Sequence, residues 1–292
     1  MHPDDWFKQG RLLDLEDGRL FILDSGLSDK PTLIILHGFP TSSYDYYKVY
    51  QPLTQHYRVI LHDHLGFGFS DKPHAADYSL LAQTDRAEAI WQQLGIRQAF
   101  VLAHDYGTSI LTEMLARETE SSLSLQLQGI ILCNGSMHIE LAKLRLMQRL
   151  LRMKVIGPLI AKLSTKHTLK NNLKATYFQP EKLSNEEIEA IWQLMTRHQG
   201  RNCLAAISRY TLERHRYWDR WIGALQKTNQ SIEIIWPQHD PIAISRMAEV
   251  IAAETQHSRL HWIQDCGHFP MLEKPQAWCS QVIDSMTYLR EL

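Results

Sequence analysis

The 292-residue sequence predicts an α/β protein: a mostly parallel, twisted sheet with helices on both faces and one helical insertion. Three observations lead there. Apolar strand-like runs recur at about 11–15, 19–25, 32–37, 57–62, 98–104, 127–133, 231–237 and 258–264. Helical patterns, such as Leu80 to Leu94 and Ile110 to Arg117, separate most of the later runs. From about 135 to 225 that rhythm gives way to helix-rich sequence, and it resumes at Ser231.

The first two runs flank Glu16-Asp17-Gly18, which predicts an antiparallel hairpin at the sheet edge. The following runs alternate with helices and are expected to pair in parallel. Residues 1–134 and 226–292 therefore form the expected core domain, with 135–225 as a helical cap over the sheet's C-terminal edge, where ligands of open α/β sheets bind. Within the cap, LRLMQRLLRMKVIGPLIAKL (144–163) reads as a basic amphipathic stretch interrupted at Gly157-Pro158. Inward packing of its apolar side is expected in preference to peripheral contact with an anionic membrane.

Composition is that of a globular protein, 44% hydrophobic and 22% charged. A formal net charge of -1 offers no electrostatic footprint for nucleic acid. Cys133, Cys203, Cys266 and Cys279 lack any C-x-x-C spacing, so neither a metal centre nor a redox pair is expected. The N-terminal stretch has no apolar secretory core, and no run reaches the ~18 apolar residues of a spanning helix. Cytoplasmic residence is the expectation.

Chemistry concentrates in four segments. VLAHDYGTS (101–109) joins a strand to a helix through a tight turn, with Ala103 and Gly107 two places either side of Asp105. Strand and helix approach too closely there for larger side chains, and Asp105 stands at the nucleophile's place in such an elbow. ILHGFPTSSYDYY ends a strand at His37-Gly38-Phe39. The Phe39 amide, with that of Tyr106 after the elbow, would form a two-donor oxyanion hole. IEIIWPQHDPIAIS puts Asp240 directly after a buried strand, where it either caps the next segment or orients a histidine. WIQDCGHFPMLEKP puts His268 after the last strand. The chain order Asp105, Asp240, His268 completes a nucleophile, acid and base set.

HGFP, DHLGFGFSDKP, AHDYG, the strand–Asp240–Pro241 turn and CGHFPMLEKP together resemble the α/β-hydrolase superfamily over essentially the whole chain. The aspartate elbow resembles the epoxide hydrolase and haloalkane dehalogenase branch. HGFPTSSYDYY, LGFGFSDKP and RWIGAL give an overall likeness to the mesoderm-specific transcript family. The resemblance implies a cofactor-free hydrolase acting on a small apolar organic substrate and water. It also implies tyrosine proton donors from the cap: SRYTLERHRYW offers Tyr210, and TYFQP offers Tyr177, which lies later in the cap than the family pattern.

An aspartate with an ordinary pKa near ~3.9 is already a carboxylate at neutral pH, so it needs no base to attack saturated carbon. Epoxide opening is the leading expectation. Haloalkane dehalogenation and esterase- or lipase-like hydrolysis are the alternatives within enzymes. A non-catalytic ligand-binding protein is the alternative from another class. Dehalogenases of the resembled branch carry side-chain N–H donors after the aspartate and after His-Gly, where this chain has Tyr106 and Phe39. Asn134 cannot act as an acid, which leaves that role to Asp240. Asp63 and the glycines after it, His104 and Ser109 are expected to be structural.

Overall fold

The computed structural model describes residues 1–26 and 29–292. Strands β1 (Arg11–Leu15) and β2 (Gly18–Asp24) form the expected antiparallel hairpin, with Leu15 opposite Gly18. They are followed by β3 (Thr32–Leu36), β4 (Arg58–His62), β5 (Gln98–His104), β6 (Gln126–Cys133), β7 (Ile232–Pro237) and β8 (Ser258–Ile263). The order across the sheet is β1-β2-β4-β3-β5-β6-β7-β8. β2 joins β4 antiparallel, and every later pairing is parallel.

The inner stretches of β3, β4 and β5 are continuous apolar runs because helices cover the sheet, whereas the edge strand β8 is mostly half-buried. All six residues of β7 are buried, as are the last six of β5. The chain leaves β3 for β4 on one side and returns to β5 on the other. Right-handed crossovers then put the helix Tyr50–Thr54 and the helix Leu80–Gln93 on opposite faces. This reversal creates a crevice at the carboxyl ends of β3 and β5, the position where ligands of such sheets bind. The helix Leu80–Gln93 starts where Ser79 Oγ accepts the Ala82 amide at 3.2 Å, and it ends just before Gly95, whose φ is +67°.

Seven α-helices separate β6 from β7, from Leu146 to Lys227. They meet the loops beyond the carboxyl ends of four strands. Cys203 Sγ lies 3.4 Å from the Gly66 carbonyl, Arg214 Nη2 donates to the Asp105 carbonyl, Tyr210 packs on Phe39, and the Thr176 carbonyl accepts the His268 amide at 2.8 Å. The helix Trp218–Lys227 lies along Tyr106–Thr119, where Trp221 Nε1 and Arg220 Nε each donate to Glu113 Oε2 at 2.8 Å.

The stretch 144–163 departs from expectation in two ways. It forms two helices, Leu146–Leu151 and Ile156–Leu163, and breaks between them at Arg152–Val155. Gly157 and Pro158 belong to the first turn of the second helix, where a proline's missing N–H costs nothing. A Cβ on Gly157 would stand 2.1 Å from the Leu151 carbonyl oxygen, so a side chain there would obstruct the reversal. The apolar residues also do not all pack inward. Leu151 and Ala161 are buried, whereas Leu146, Val155, Leu159 and Leu163 are exposed, Val155 at 85%. Two short helices turned against each other cannot keep one common apolar face on the core.

Candidate active site

β5 ends at His104, and the helix Tyr106–Thr119 begins one residue later. The whole reversal falls on Asp105, which takes φ 44°, ψ −105°, a costly conformation for a residue with a side chain. The turn is over-determined from both sides. A Cβ on Gly107 would meet the Leu36 carbonyl oxygen at 2.4 Å, and one on Gly38 would meet His104 Nδ1 at 2.8 Å. The Gly107 amide donates to the His37 carbonyl at 3.1 Å. From the inserted helices, Arg214 Nη2 donates to the Asp105 carbonyl at 2.8 Å while its Nε donates to Ser109 Oγ at 2.7 Å.

This turn holds the Asp105 carboxyl at the end of the sheet, 2% exposed. The Phe39 amide donates to its Oδ2 at 2.9 Å. The Tyr106 amide belongs to the first residue of its helix, a position with no intrahelical acceptor. His268 Nε2 stands 4.0 Å from Asp105 Oδ2, beyond hydrogen-bond length, and its Nδ1 lies 2.6 Å from Asp240 Oδ2. Asp240 is the acceptor there, so Nδ1 carries the proton and Nε2 faces Asp105. The other Asp240 oxygen accepts the Ile242 and Ala243 amides at 2.7 and 3.0 Å, which fixes the carboxylate in the loop after β7. Asp240 does not cap the next helix, which begins at Ser245 after Ile244 with no side-chain cap; its carboxylate holds the turn before that helix and meets His268.

Burial opposes protonation of the His268 ring, but the carboxylates of Asp240 and Asp105 outweigh it and hold its pKa above the ordinary value. Asn134 completes this arrangement. Its Nδ2 donates to Asp240 Oδ2 at 2.7 Å and to the His268 carbonyl at 2.8 Å, while Cys133 Sγ donates to its Oδ1. Asn134 has φ 26° at the end of β6, and this bend turns the amide towards the loop histidine. His104 contributes at the rear, with Nε2 2.9 Å from the His268 carbonyl.

The two tyrosines fall in different places. Tyr210 is buried with its ring 5.6 Å from Phe39 and 5.0 Å from Tyr106, under the Arg214 guanidinium. Its hydroxyl has no hydrogen-bond partner; burial, and then the Asp105 charge, pushes its pKa upward. Tyr177 stacks on Phe269 at 6.0 Å. Its hydroxyl is also buried and unpartnered, but after burial the charges that bear on it are those of Glu187, Asp45 and Glu273. The Asp105 charge thus bears on Tyr210, which packs on Phe39 and Tyr106, whereas Tyr177 packs on Phe269 and is influenced by other carboxylates.

A cavity of about 100 Å³ meets this group at Phe39 and His268, with Phe269 beside them and Met147, Leu151 and Leu173 among its other walls. Its walls are mainly apolar. Behind Phe39 lies a histidine cluster. The His64 amide donates to His37 Nε2 at 3.1 Å, so His37 carries its proton on Nδ1, which donates to the Gly38 carbonyl at 2.8 Å. Asp63 accepts the Ser43 and Phe69 amides, both at 2.7 Å, in keeping with a structural role for that turn. Asn134 and Arg214 were not singled out as part of the site by the sequence. Their contributions rest on partners more than 100 residues away, and the local sequence carries no signal for them.

The α/β-hydrolase fold family matches residues 31–275. The chain belongs to this family. It is 33% identical over 279 residues to the hydrolase LipZ of Mycobacterium tuberculosis, covering 96% of both chains. It is 31% identical over 282 residues to the mesoderm-specific transcript protein of Mus musculus, covering 94% of this chain and 84% of that one. Shorter matches extend the likeness to a haloalkane dehalogenase and an epoxide hydrolase. Among solved structures, the ancestral haloalkane dehalogenase AncHLD2 shares the fold with a TM-score of 0.82 at 21% identity, over 97% of this chain and 100% of that one. For an α/β-hydrolase, the elbow, the loop after β7 and the loop after β8 are where Asp105, Asp240 and His268 stand.

Proposed function

We propose that this α/β-hydrolase is an enzyme that attacks saturated carbon with the Asp105 carboxylate, and that epoxides are its first substrate class. The helices between β6 and β7 act as its cap. The observation that carries the reading is the elbow geometry, with Asp105 Oδ2 2.9 Å from the Phe39 amide and 4.0 Å from His268 Nε2. A serine in that position would need a hydrogen-bonded histidine to take its proton, whereas a carboxylate does not.

In the first step Asp105 Oδ1 bonds to an epoxide carbon as the ring C–O bond breaks. The departing alkoxide takes the Tyr210 phenolic proton, and Asp105 becomes an alkyl ester. Tyr210 suits this role because its buried hydroxyl is unpartnered and its ring contacts Phe39 beside the carboxylate. In the second step His268 Nε2 takes a proton from water, and the resulting hydroxide bonds to the Asp105 carboxyl carbon. Negative charge gathers on Oδ2, where the Phe39 amide already donates and the Tyr106 amide is the second donor. One such donor contributes about 2.7–4 kcal/mol to a comparable transition state. Collapse breaks the bond to the alkyl oxygen, which takes the proton of the added hydroxyl and leaves as the diol, so that Asp105 is restored as a carboxylate, and the proton held by His268 returns to the Tyr210 phenolate.

Asp240 orients the imidazole and balances its charge. Asn134 holds the acid and the base loop together. Halide release is less well supported, because Phe39 has no side-chain donor and Tyr106 offers a hydroxyl where an N–H is wanted. Turnover of a panel of epoxides, haloalkanes and activated esters by the wild type and by Asp105→Asn tests the reading. Diol formation that Asp105→Asn abolishes is expected. A variant that keeps wild-type turnover would remove Asp105 from the chemistry.

A further inference from the structure

We propose that the outer face of the helices Leu146–Leu151 and Ile156–Leu163 docks the protein on an anionic phospholipid surface. Six of the ten large apolar side chains exposed among the described residues fall within these 18 residues: Leu146, Met153, Val155, Ile156, Leu159 and Leu163. They are not scattered surface residues of the kind every protein carries, and a concentrated apolar patch of this kind marks an interaction surface. Leu159 and Leu163, four residues apart, project from one side of their helix. Val155 stands at the break between the two helices.

The charges around the patch choose the partner. From Leu141 to Pro180 the chain contains nine lysines and arginines and no aspartate or glutamate, although its overall net charge is -1. Lys143, Arg149, Lys154 and Lys162 are exposed and border the apolar residues. An apolar face rimmed by cations fits the interface of a bilayer, with side chains such as Val155 and Leu159 among the acyl chains and the cations at the lipid phosphates. A second copy of the chain fits poorly, because a two-fold contact through this patch would set the same cations against one another. The helices are too short to span: among the described residues no helix is long and apolar enough to cross a membrane. The protein would lie on the surface.

The same segment lines the cavity. Leu146 and Val155 face outward, while Met147, Gln148 and Leu151 form part of the wall above His268. Docking would therefore bring the cavity to the level of the lipid, where apolar substrates partition. The surface contact itself does not depend on the chemistry at Asp105.

Sedimentation of the full chain with phosphatidylcholine vesicles, with and without 30% phosphatidylserine, tests the proposal. Binding to the anionic vesicles is expected, weakened by high salt and reduced at least tenfold by Val155→Ser/Leu159→Ser/Leu163→Ser. These positions are exposed, so the variant should keep the wild-type circular dichroism and melting midpoint. Lys154→Gln/Lys162→Gln should lower anionic binding about fivefold per lysine and leave binding to neutral vesicles unchanged. No binding of folded wild type to anionic vesicles would overturn the proposal. So would binding untouched by the triple substitution, or a dimer in sedimentation equilibrium that the triple substitution dissociates.

Discussion

Replacing Asp105 with asparagine should lower the pKa of His268, and the distance between them sets the size of the effect. Asp105 Oδ2 and His268 Nε2 are 4.0 Å apart. A unit charge at that range acts on a protonated ring with about 1 kcal/mol if the medium is water-like and about 4 kcal/mol at an effective dielectric constant near 20. At about 1.4 kcal/mol per pH unit, the substitution should lower the pKa by between about one and three units. Asparagine keeps the size of the side chain, so Asp240 at 2.6 Å still orients the ring. Nitrogen-15 NMR titration of the imidazole, assigned by its loss in His268→Gln, measures the change.

The result bears directly on the mechanism. Alkylation of Asp105 removes the same charge that the substitution removes. The proposed intermediate would then lack the carboxylate charge that favours a protonated ring, and His268 would be freer to stand neutral as the base that takes a proton from water. The sign of the linked stability follows. Because the folded pKa of His268 is raised, its contribution is fully present below the unfolded value of about 6.5 and is lost as the pH rises through the folded value. Asp105→Asn should narrow that window from above. An unchanged or increased pKa in the variant would refute the coupling and with it the timing of base formation.

Other outcomes follow from neighbouring contacts. Tyr210→Phe should slow epoxide opening by about 10²–10⁴-fold in single-turnover assays. It should raise the melting midpoint slightly, since it deletes a buried hydroxyl without a partner. Asn134→Ala removes donors to the Asp240 carboxylate and the His268 carbonyl, so denaturant titration should register a loss of about 2–4 kcal/mol. Burial depresses the pKa of His37 and His104 to about 4 and that of His62 to about 3. These rings contribute stability that is present above about 6.5 and lost as the pH falls towards 4, so the urea midpoint should drop steeply across that interval.

The sheet and the candidate triad were legible for a common reason. Strands buried on both faces must be apolar along their whole length, and the residues after them stand where the chain has to turn. Gly107 and Gly38 are where close approach requires glycine, and Asp105, Asp240 and His268 follow three different strands. The amphipathic pattern of 144–163 predicts inward packing of one continuous stripe, whereas the break at Arg152–Val155 leaves Val155, Leu159 and Leu163 exposed. Asn134 and Arg214 escaped because one amide and one guanidinium acquire meaning only from what the fold sets against them. An asparagine at position 134 has no acid to offer, and its value lies in donating to Asp240 and to the His268 carbonyl. Tyr177 had a family-like local sequence, and its stacking on Phe269 is a tertiary fact that local sequence does not encode.

The central claim is that Asp105 forms a covalent ester. Intact-protein mass spectrometry of His268→Gln after exposure to separate panels of epoxides, haloalkanes and activated esters tests it most directly, since loss of the base should leave the ester unhydrolysed. The account predicts a mass gain equal to one whole epoxide, mapped to the peptide that contains Asp105 and absent when Asp105→Ala is added. A gain of an alkyl group without its halogen would keep the nucleophile and reassign the substrate class. An unmodified, folded variant, or an adduct that maps to another residue, would contradict the claim.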